Sequence, residues 1–577
     1  MTMTVDLDLT RLDPVLDKHR EGGRINLLPA LHDAQALYGY LSEPVLKSIS
    51  AALRVPLADI HGVVEFYTMF YSEPVGKRMI RICADPACAI AGAEGALVAA
   101  CKRAGGIHPG ETSADGSVTV ERATCLGLCD QAPAALVDDM AYRNVTADNV
   151  AKLFDGQGVP SELQVAGEPR LLTRNIGKVA PHDIGTLKNE TGAFAPLEKA
   201  LKEMTPEQVI EQVKASGLVG RGGAAFPTGV KWEGTRNAVG DPKYVVCNAD
   251  ESEPGTFKDR VLMEGDPVRV LLGMILCGYA VGSNKGFLFI RGEYPQAAKL
   301  LQGAIDGLRA ENLLGDAILG TQFSFDIEIR RGAGAYICGE ETALFEAIEG
   351  KRGFPRLKPP FPTTHGLFMK PTCINNVETL ACIPDIVEHG GEWFKQWGTE
   401  QSTGPKLFCV SGHVHKPGVV EVPFGTPLRQ MIEQHCGGFN GTPKAILMGG
   451  AAGGFMTPDQ LDTKLSFEDL RAIGAPIGSG VVMVFNQTVD LREVLRGLAH
   501  FFAHESCGKC YPCQLGTQRQ MEILDRIVGG ETRATDWDAL HDIGWTMTDA
   551  SICGLGQTAA SAVLSALKLW PELAKTQ

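Results

Sequence analysis

The 577-residue chain has no apolar run long enough to cross a bilayer; its longest, Val270 to Gly282, falls well short of the roughly 20 residues that a spanning helix needs. No membrane insertion is expected. The opening stretch, Met1 to Asp8, is polar and acidic and carries neither the basic nor the apolar segment of a secretory leader, so the expectation is a cytoplasmic protein. Positive charge is in deficit: 54 Lys and Arg against 68 Asp and Glu leave a net −14, which argues against nucleic-acid binding as the main function. An anionic ligand is not excluded, because it needs only local donors. Walker spacing and internal repeats are absent as well. With 44% hydrophobic and 21% charged residues, the chain is neither wholly disordered nor collagenous. At this length one core is too few, and about three or four domains are expected.

Residues 27 to 70 read as helical, with Ser42 placed to cap a helix through Val45, Ile49 and Leu53, and Pro44 tolerated in its first turn. A strand over 79–83, an alanine-rich helix around 91–103 and a strand over 118–120 lead to Cys125 and suggest a small α/β domain ending near residue 155. The segment 156–196 shows no periodicity and reads as a linker. A long α/β region begins at a capping-box pattern, Thr205-x-x-Gln208, and holds strands over 244–247, 287–290 and 325–329. Short strands and turns dominate 406–486, and the last 90 residues read as amphipathic helices.

In a reducing compartment 16 cysteines are not a disulfide framework, so their spacing is the main evidence. Cys83-x4-Cys88 and Cys125-x3-Cys129 each follow a strand, where two loops can face one site; four thiolates there suit a 2Fe–2S cluster or a structural zinc. Cys507-x2-Cys510-x2-Cys513 with a distant Cys553 favours an iron–sulfur cluster over zinc, because zinc rarely uses three cysteines in succession at x2 spacing. The other eight cysteines (Cys101, Cys247, Cys277, Cys338, Cys373, Cys382, Cys409 and Cys436) lack paired spacing and read mainly as small core residues.

Gly220-Arg221-Gly222-Gly223-Ala224-Ala225 formally matches G-x-G-x-x-A, but a helical segment precedes it and Pro227 follows, so the ordinary dinucleotide fingerprint is rejected. What survives is a glycine-rich loop whose amides can approach an anion, with Arg221 and Lys231 nearby, or a plain surface turn. Asn248-Ala249-Asp250-Glu251-Ser252-Glu253 at a strand end is equally a ligand site or a solvated turn. Gly339-Glu340-Glu341-Thr342 opens a helix, where its acids suit the helix dipole, and Asn375-Asn376 suits an Asx turn.

Together these motifs, over roughly residues 27 to 570, resemble the NADH-oxidising flavoprotein subunit of respiratory complex I, with the neighbouring 2Fe–2S subunit of that enzyme joined in front. Such fusions are the diaphorase subunits of soluble NAD-dependent formate dehydrogenases and NAD-reducing hydrogenases, and the sequence looks most similar to the formate dehydrogenase beta type. The resemblance implies an α/β multidomain chain. A helical segment plus thioredoxin-like 2Fe–2S domain takes 1–155, and a Rossmann-like FMN- and NAD-binding domain takes 197–400. A β-grasp domain takes 401–487, and a helical bundle with a 4Fe–4S cluster takes 488–577. It implies Cys83, Cys88, Cys125 and Cys129 as 2Fe–2S ligands and Cys507, Cys510, Cys513 and Cys553 as 4Fe–4S ligands. For FMN it implies Gly220, Arg221, Gly222, Gly223, Lys231, Asn248, Asp250, Glu251, Ser252, Tyr336, Gly339, Glu340, Ile374, Asn375, Asn376 and Thr379. For NAD(H) it implies Phe226, Glu253, Glu341, Lys358 and Phe361, with Lys231 balancing flavin charge and Glu253 shaping the nicotinamide pocket as the catalytic pair. An aromatic expected just after Trp232 is here Glu233-Gly234, which weakens the case for adenine stacking there. FMN links hydride chemistry to the single electrons that clusters carry. The partner implied is a catalytic subunit with further iron–sulfur clusters, of the molybdenum- or tungsten-dependent formate dehydrogenase alpha type. A hydrogenase or complex I partner is the alternative, and a non-redox zinc scaffold a remote one.

Overall fold

The computed structural model describes residues 7–574, so the opening stretch Met1 to Asp8 lies outside it except for Leu7 and Asp8. Helix Glu43–Leu53 forms where apolar residues recur at helical spacing, and it buries Val45, Leu46, Ile49 and Leu53 against its neighbours. Ser42 holds the expected N-cap position, but its hydroxyl makes no capping bond and is buried without a partner. The backbone of the start signal is present; its hydrogen bond is not.

The first sheet has the order β2-β1-β3-β4, with β1 Arg78–Cys83, β2 Val118–Ala123, β3 Ala135–Val137 and β4 Met140–Tyr142. β1 and β2 are parallel, and Cys83 pairs in register with Ala123. Parallel pairing sets the loops after both strands at one end of the sheet, which brings the two Cys pairs together. Inside the expected linker, β5 (Val165–Gly167) pairs in parallel with a strand of the third sheet, Val165 opposite Val419. The neighbouring chain is fastened by the buried Glu421 carboxylate, which accepts from the amides of Leu171, Leu172 and Thr173 at 2.8, 2.7 and 3.0 Å. A three-residue strand is too short to show a period in the sequence.

The capping box at Thr205 forms as expected and starts helix Pro206–Ala215. The second sheet is wholly parallel, in the order β8-β7-β6-β9: β6 Tyr244–Ala249, β7 Lys285–Ile290, β8 Asp326–Arg331 and β9 Thr372–Asn376. The longest apolar run becomes helix Pro267–Val281, in which every residue but Tyr279 is buried, so it is core and not a membrane span. Its Gly273 lets helix Val377–His389 pack closely: a Cβ there would stand 2.2 Å from the Leu380 carbonyl oxygen. Among the described residues no helix is long and apolar enough to cross a membrane.

The third sheet, in the order β13-β12-β14-β10-β11-β5, is completed by β10 Pro405–Gly412, β11 Gly418–Pro423, β12 Pro443–Met448, β13 Gly454–Met456 and β14 Val481–Asn486. Helices Leu491–Glu505, Tyr511–Val528, Asp536–Ala550 and Ser561–Leu569 make the C-terminal unit, and the Cys507–Cys510 loop joins the first two. In the second sheet the chain proceeds from β6 to β7 and β8 on one side and then returns to lay β9 on the other. Open parallel sheets bind ligands at the carboxyl ends of the strands where the order reverses. Here that place is the exit of β6 and β9, the sequences Asn248-Ala249-Asp250 and Asn375-Asn376.

Candidate functional site

A cavity of about 240 Å³ opens at that crevice. Of the residues expected to bind flavin or nucleotide, Gly222, Asn248, Asp250, Glu251, Ser252, Glu253, Tyr336, Gly339, Glu340 and Asn376 line it. β6 delivers Asn248 and the acidic loop, whose Asn248 Nδ2 donates to the Gly339 carbonyl at 2.8 Å and fastens the two loops. Asp250 is half-buried, and desolvation raises its carboxyl well above the usual range; its buried Oδ2 has no partner. Glu251 accepts from the amides of Asp259 and Arg260 at 2.8 and 2.9 Å, anchoring the first turn of helix Lys258–Gly265, and burial pushes it up to about 8. Glu253 accepts from the Ala452 amide at 2.9 Å and the Ser479 hydroxyl at 3.3 Å, and burial pushes it up to about 7. Glu340 caps helix Glu341–Ile348 through the amides of Thr342 and Ala343, and Lys358 binds Glu340 and Glu341 at 2.9 and 3.0 Å.

Other expected residues stand behind or beside this wall. The buried Arg221 guanidinium donates to the Thr403 carbonyl at 2.7 Å and lies 4.6 Å from the Phe424 ring, in the seam with the third sheet, and its amide donates to Thr379 Oγ1. Lys231 Nζ donates to the Ile374 carbonyl at 2.9 Å, 5.8 Å from the Phe226 ring. Asn375 donates to the Cys373 thiol, deep in the core. The Gly220 amide closes its loop onto the Phe226 carbonyl, and Gly223 takes a φ of +120° in the same loop. Phe226 and Phe361 are 50% and 57% exposed, two uncovered aromatic faces. Glu233, at the position of the missing aromatic, pairs with Lys214, and Trp232 is core.

The sequence reading missed Thr256, Lys258, Asp259, Ile337, Ser479, Gly554 and Leu555 on the cavity wall. Lys258 and Asp259 lie eight and nine residues past Asp250, separated from the acidic loop by the uncharged Pro254-Gly255-Thr256-Phe257. Ser479 and Leu555 reach the wall from the third sheet and the C-terminal helices, which no local pattern announces.

The cysteine groups converge. Cys125 and Cys129 sulfurs are 3.4 Å apart, and the Cys83 thiol contacts those of Cys125 and Cys88, all four buried. Cys507, Cys510, Cys513 and Cys553 line one small cavity with Pro355, Ser506 and Leu555. Four thiols around one closed space, without a disulfide, is the donor set of an iron–sulfur cluster. The three sites adjoin: Ile337 and Leu555 line both the large cavity and the second cysteine cavity, and the Gly255 amide lies beside the Cys129 thiol, on the loop that walls the large one.

Comparison with known proteins agrees along the chain. Residues 12–157 match the thioredoxin-like [2Fe-2S] ferredoxin family, 213–385 the Nuo51 FMN-binding domain, 407–460 the SLBB domain and 493–577 the NADH-ubiquinone oxidoreductase-F iron-sulfur binding region. An NADH-quinone oxidoreductase subunit of Rhizobium meliloti is 45% identical over 403 residues, 70% of this chain and 95% of that protein. The HoxS subunit alpha of the NAD-reducing hydrogenase of Cupriavidus necator is 37% identical over 575 residues, 98% of this chain and 94% of that one. A crystal structure of air-oxidised NAD+-reducing [NiFe]-hydrogenase superposes with a TM-score of 0.84 at 34% identity, covering 95% of this chain and 93% of the other. The residues present fit FMN. Gly222 and Gly339 give the cavity flat walls, where a Cβ would stand 3.1 Å from Asn376 Cβ and 3.4 Å from the Asp250 carbonyl, and the unpartnered Asp250 oxygen on the wall is left to pair with a polar ligand. The chain belongs to the family of NADH-oxidising flavoprotein subunits of complex I-type enzymes, carrying FMN, a 2Fe–2S and a 4Fe–4S cluster, with the thioredoxin-like domain fused ahead of the flavoprotein.

Proposed function

We propose that this chain is the diaphorase subunit of a cytoplasmic NAD-dependent formate dehydrogenase, exchanging hydride with NAD(H) and single electrons with a catalytic partner subunit that holds further iron–sulfur clusters. One observation carries the reading: the cavity wall is continuous with both cysteine sites, through Gly255 to Cys129 and through Leu555 to the pocket of Cys507 and Cys553. Bound FMN supplies the conversion between hydride and single-electron chemistry. The chain's residues bind and orient. Asn248 and Gly339 hold the two wall loops together, Ser479 closes the cavity from the side of the third sheet by bonding Glu253 of the acidic loop, and Lys231 and Glu253 act on the flavin and nicotinamide by charge and hydrogen bonding. Phe226 and Phe361 offer apolar faces for the nucleotide, with Glu341 and Lys358 beside them.

Formate as the partner's substrate rests on the sequence resemblance. Similarity to the HoxS subunit alpha over nearly the whole chain favours a second reading, in which the partner oxidises hydrogen. Copurifying the native complex and assaying NAD+ reduction separates them: formate-dependent turnover supports the first, hydrogen-dependent turnover without formate activity the second. The isolated, FMN-replete chain is expected to reduce ferricyanide with NADH and to be inert to formate. Formate oxidation by the chain alone would contradict the assignment of that chemistry to a partner.

A further inference from the structure

A second buried seam, on the far side of the acidic loop, joins the cavity wall to the first cysteine group. Arg291 follows β7 and its side chain is 1% exposed. Its Nη1 donates to the Glu251 carbonyl at 2.6 Å, and its Nη2 to the Cys125 carbonyl at 2.6 Å and to Glu293 Oε1 at 2.7 Å. One guanidinium thus bridges a residue of the cavity wall and a proposed 2Fe–2S ligand. Tyr294, whose ring lies 4.9 Å from that guanidinium, donates to Glu251 Oε2 at 3.1 Å. The same tyrosine presses on the cysteine loop: a Cβ at Gly127, which has φ +66°, would stand 2.0 Å from its hydroxyl oxygen. Arg260 adds a second cation, donating from Nε to the Gly127 carbonyl at 2.8 Å.

We propose that Arg291 is a positioning residue that docks the Cys125 loop on the cavity wall and, through its charge, sets the reduction potential of the 2Fe–2S cluster; this rests on the functional reading above. Holding two loops together needs donors but no charge. Burying a cation to do it is costly unless charge is wanted there or is fully paired. Arg291 has one carboxylate partner, Glu293, and spends its other two bonds on carbonyls. Reduction of a 2Fe–2S cluster adds one electron, with no bond made or broken. A cation held against the carbonyl of a ligand cysteine, away from water, favours that added negative charge. Without Arg291, the Glu293 carboxylate would face the cysteine loop unpaired and push in the opposite direction.

The test is an anaerobic redox titration of the reconstituted full chain, with both clusters followed by EPR. Arg291→Met is expected to disfavour 2Fe–2S reduction about tenfold, about 59 mV toward more negative potential for one electron. Arg291→Lys keeps the charge and is expected to stay within threefold of the parent, and the 4Fe–4S cluster, as internal reference, to stay within threefold in every variant. If Arg291→Met fails to take up the cluster, Arg260→Gln against Arg260→Lys makes the same comparison at the Gly127 carbonyl. A 2Fe–2S potential unmoved by loss of charge, or moved equally by the lysine and neutral variants, would overturn the proposal. A parent chain with no reducible 2Fe–2S centre would overturn the functional reading, and the proposal with it.

Discussion

Glu378 is the residue whose neutralisation should cost the fold most. It is fully buried in helix Val377–His389; its Oε2 accepts from Lys406 and Lys258 at 2.7 and 3.0 Å, and its Oε1 from the Leu407 amide at 2.9 Å. Lys406 lies at the start of β10 and Lys258 stands on the cavity wall, so one carboxylate ties the second sheet's helix, the cavity and the third sheet together. The two lysines hold Glu378 below the usual carboxylate range despite its burial, while burial pulls Lys406 down to about 8. Glu378→Gln keeps the shape but leaves Lys258 with Asp259 as its carboxylate partner and Lys406 with none, only the carbonyls of Leu407 and Ser479. Breaking a buried pair from one side costs about 3–5 kcal/mol. For a unit of this size each kcal/mol lowers the melting temperature by roughly 2–4 °C, so calorimetry of the full chain should show its main transition about 10 °C lower. Adding Lys406→Met removes one stranded charge and should recover part of the loss. A fall below about 2 °C for the single variant, or no recovery in the double, would refute this account of the cluster.

Three further outcomes follow from the sites. Glu253 is raised from 4.5 to about 7 by burial, so the folded chain holds its proton more tightly than the unfolded chain. Its contribution therefore falls as pH rises from about 4.5 to 7, by about 3 kcal/mol in all, and Glu253→Gln should flatten that part of the stability–pH curve; an unchanged difference between parent and variant across the range contradicts it. Cys507→Ala should lower iron content and stop partner-linked turnover while NADH–ferricyanide activity largely survives, whereas intact partner-linked turnover would take this cluster off the path. Lys231→Ala removes a charge whose hydrogen bond is worth roughly 1.5–3 kcal/mol, so bound FMN after gel filtration should fall by about one to two orders of magnitude in affinity. Glu253→Gln should instead keep FMN and change the NADH saturation curve; the reverse pattern would exchange the two assignments.

The sites divide into residues that the sequence makes legible and residues that it does not, for physical reasons. The eight cysteines are legible because ligand spacing is a local constraint, and both groups close in space as expected. The acidic loop is legible because β6 is short, apolar and abruptly followed by charge, and Asp250 to Glu253 do line the crevice. Arg221 shows the limit of that reasoning: a cation in a glycine loop suggests an anion site, yet its side chain turns into the seam with Thr403 and Phe424, residues that flank β10 and β11 far along the chain. Ser479 and Leu555 were invisible for the same reason, since each reaches the cavity only by tertiary packing. β5 escaped notice because its partner β11 supplies the order that three residues cannot supply alone. Ser42 shows that a start signal can place the backbone without making its hydrogen bond.

In the proposed function, one cavity serves NAD(H) and passes single electrons to both cysteine sites. Anaerobic titration of the reconstituted chain with NADH, followed by visible absorption and low-temperature EPR, tests it directly. NADH is expected to bleach the flavin, with signals of a reduced cluster following without any partner subunit. Flavin bleaching with both clusters left oxidised, at potentials where a chemical reductant reduces them, would contradict it.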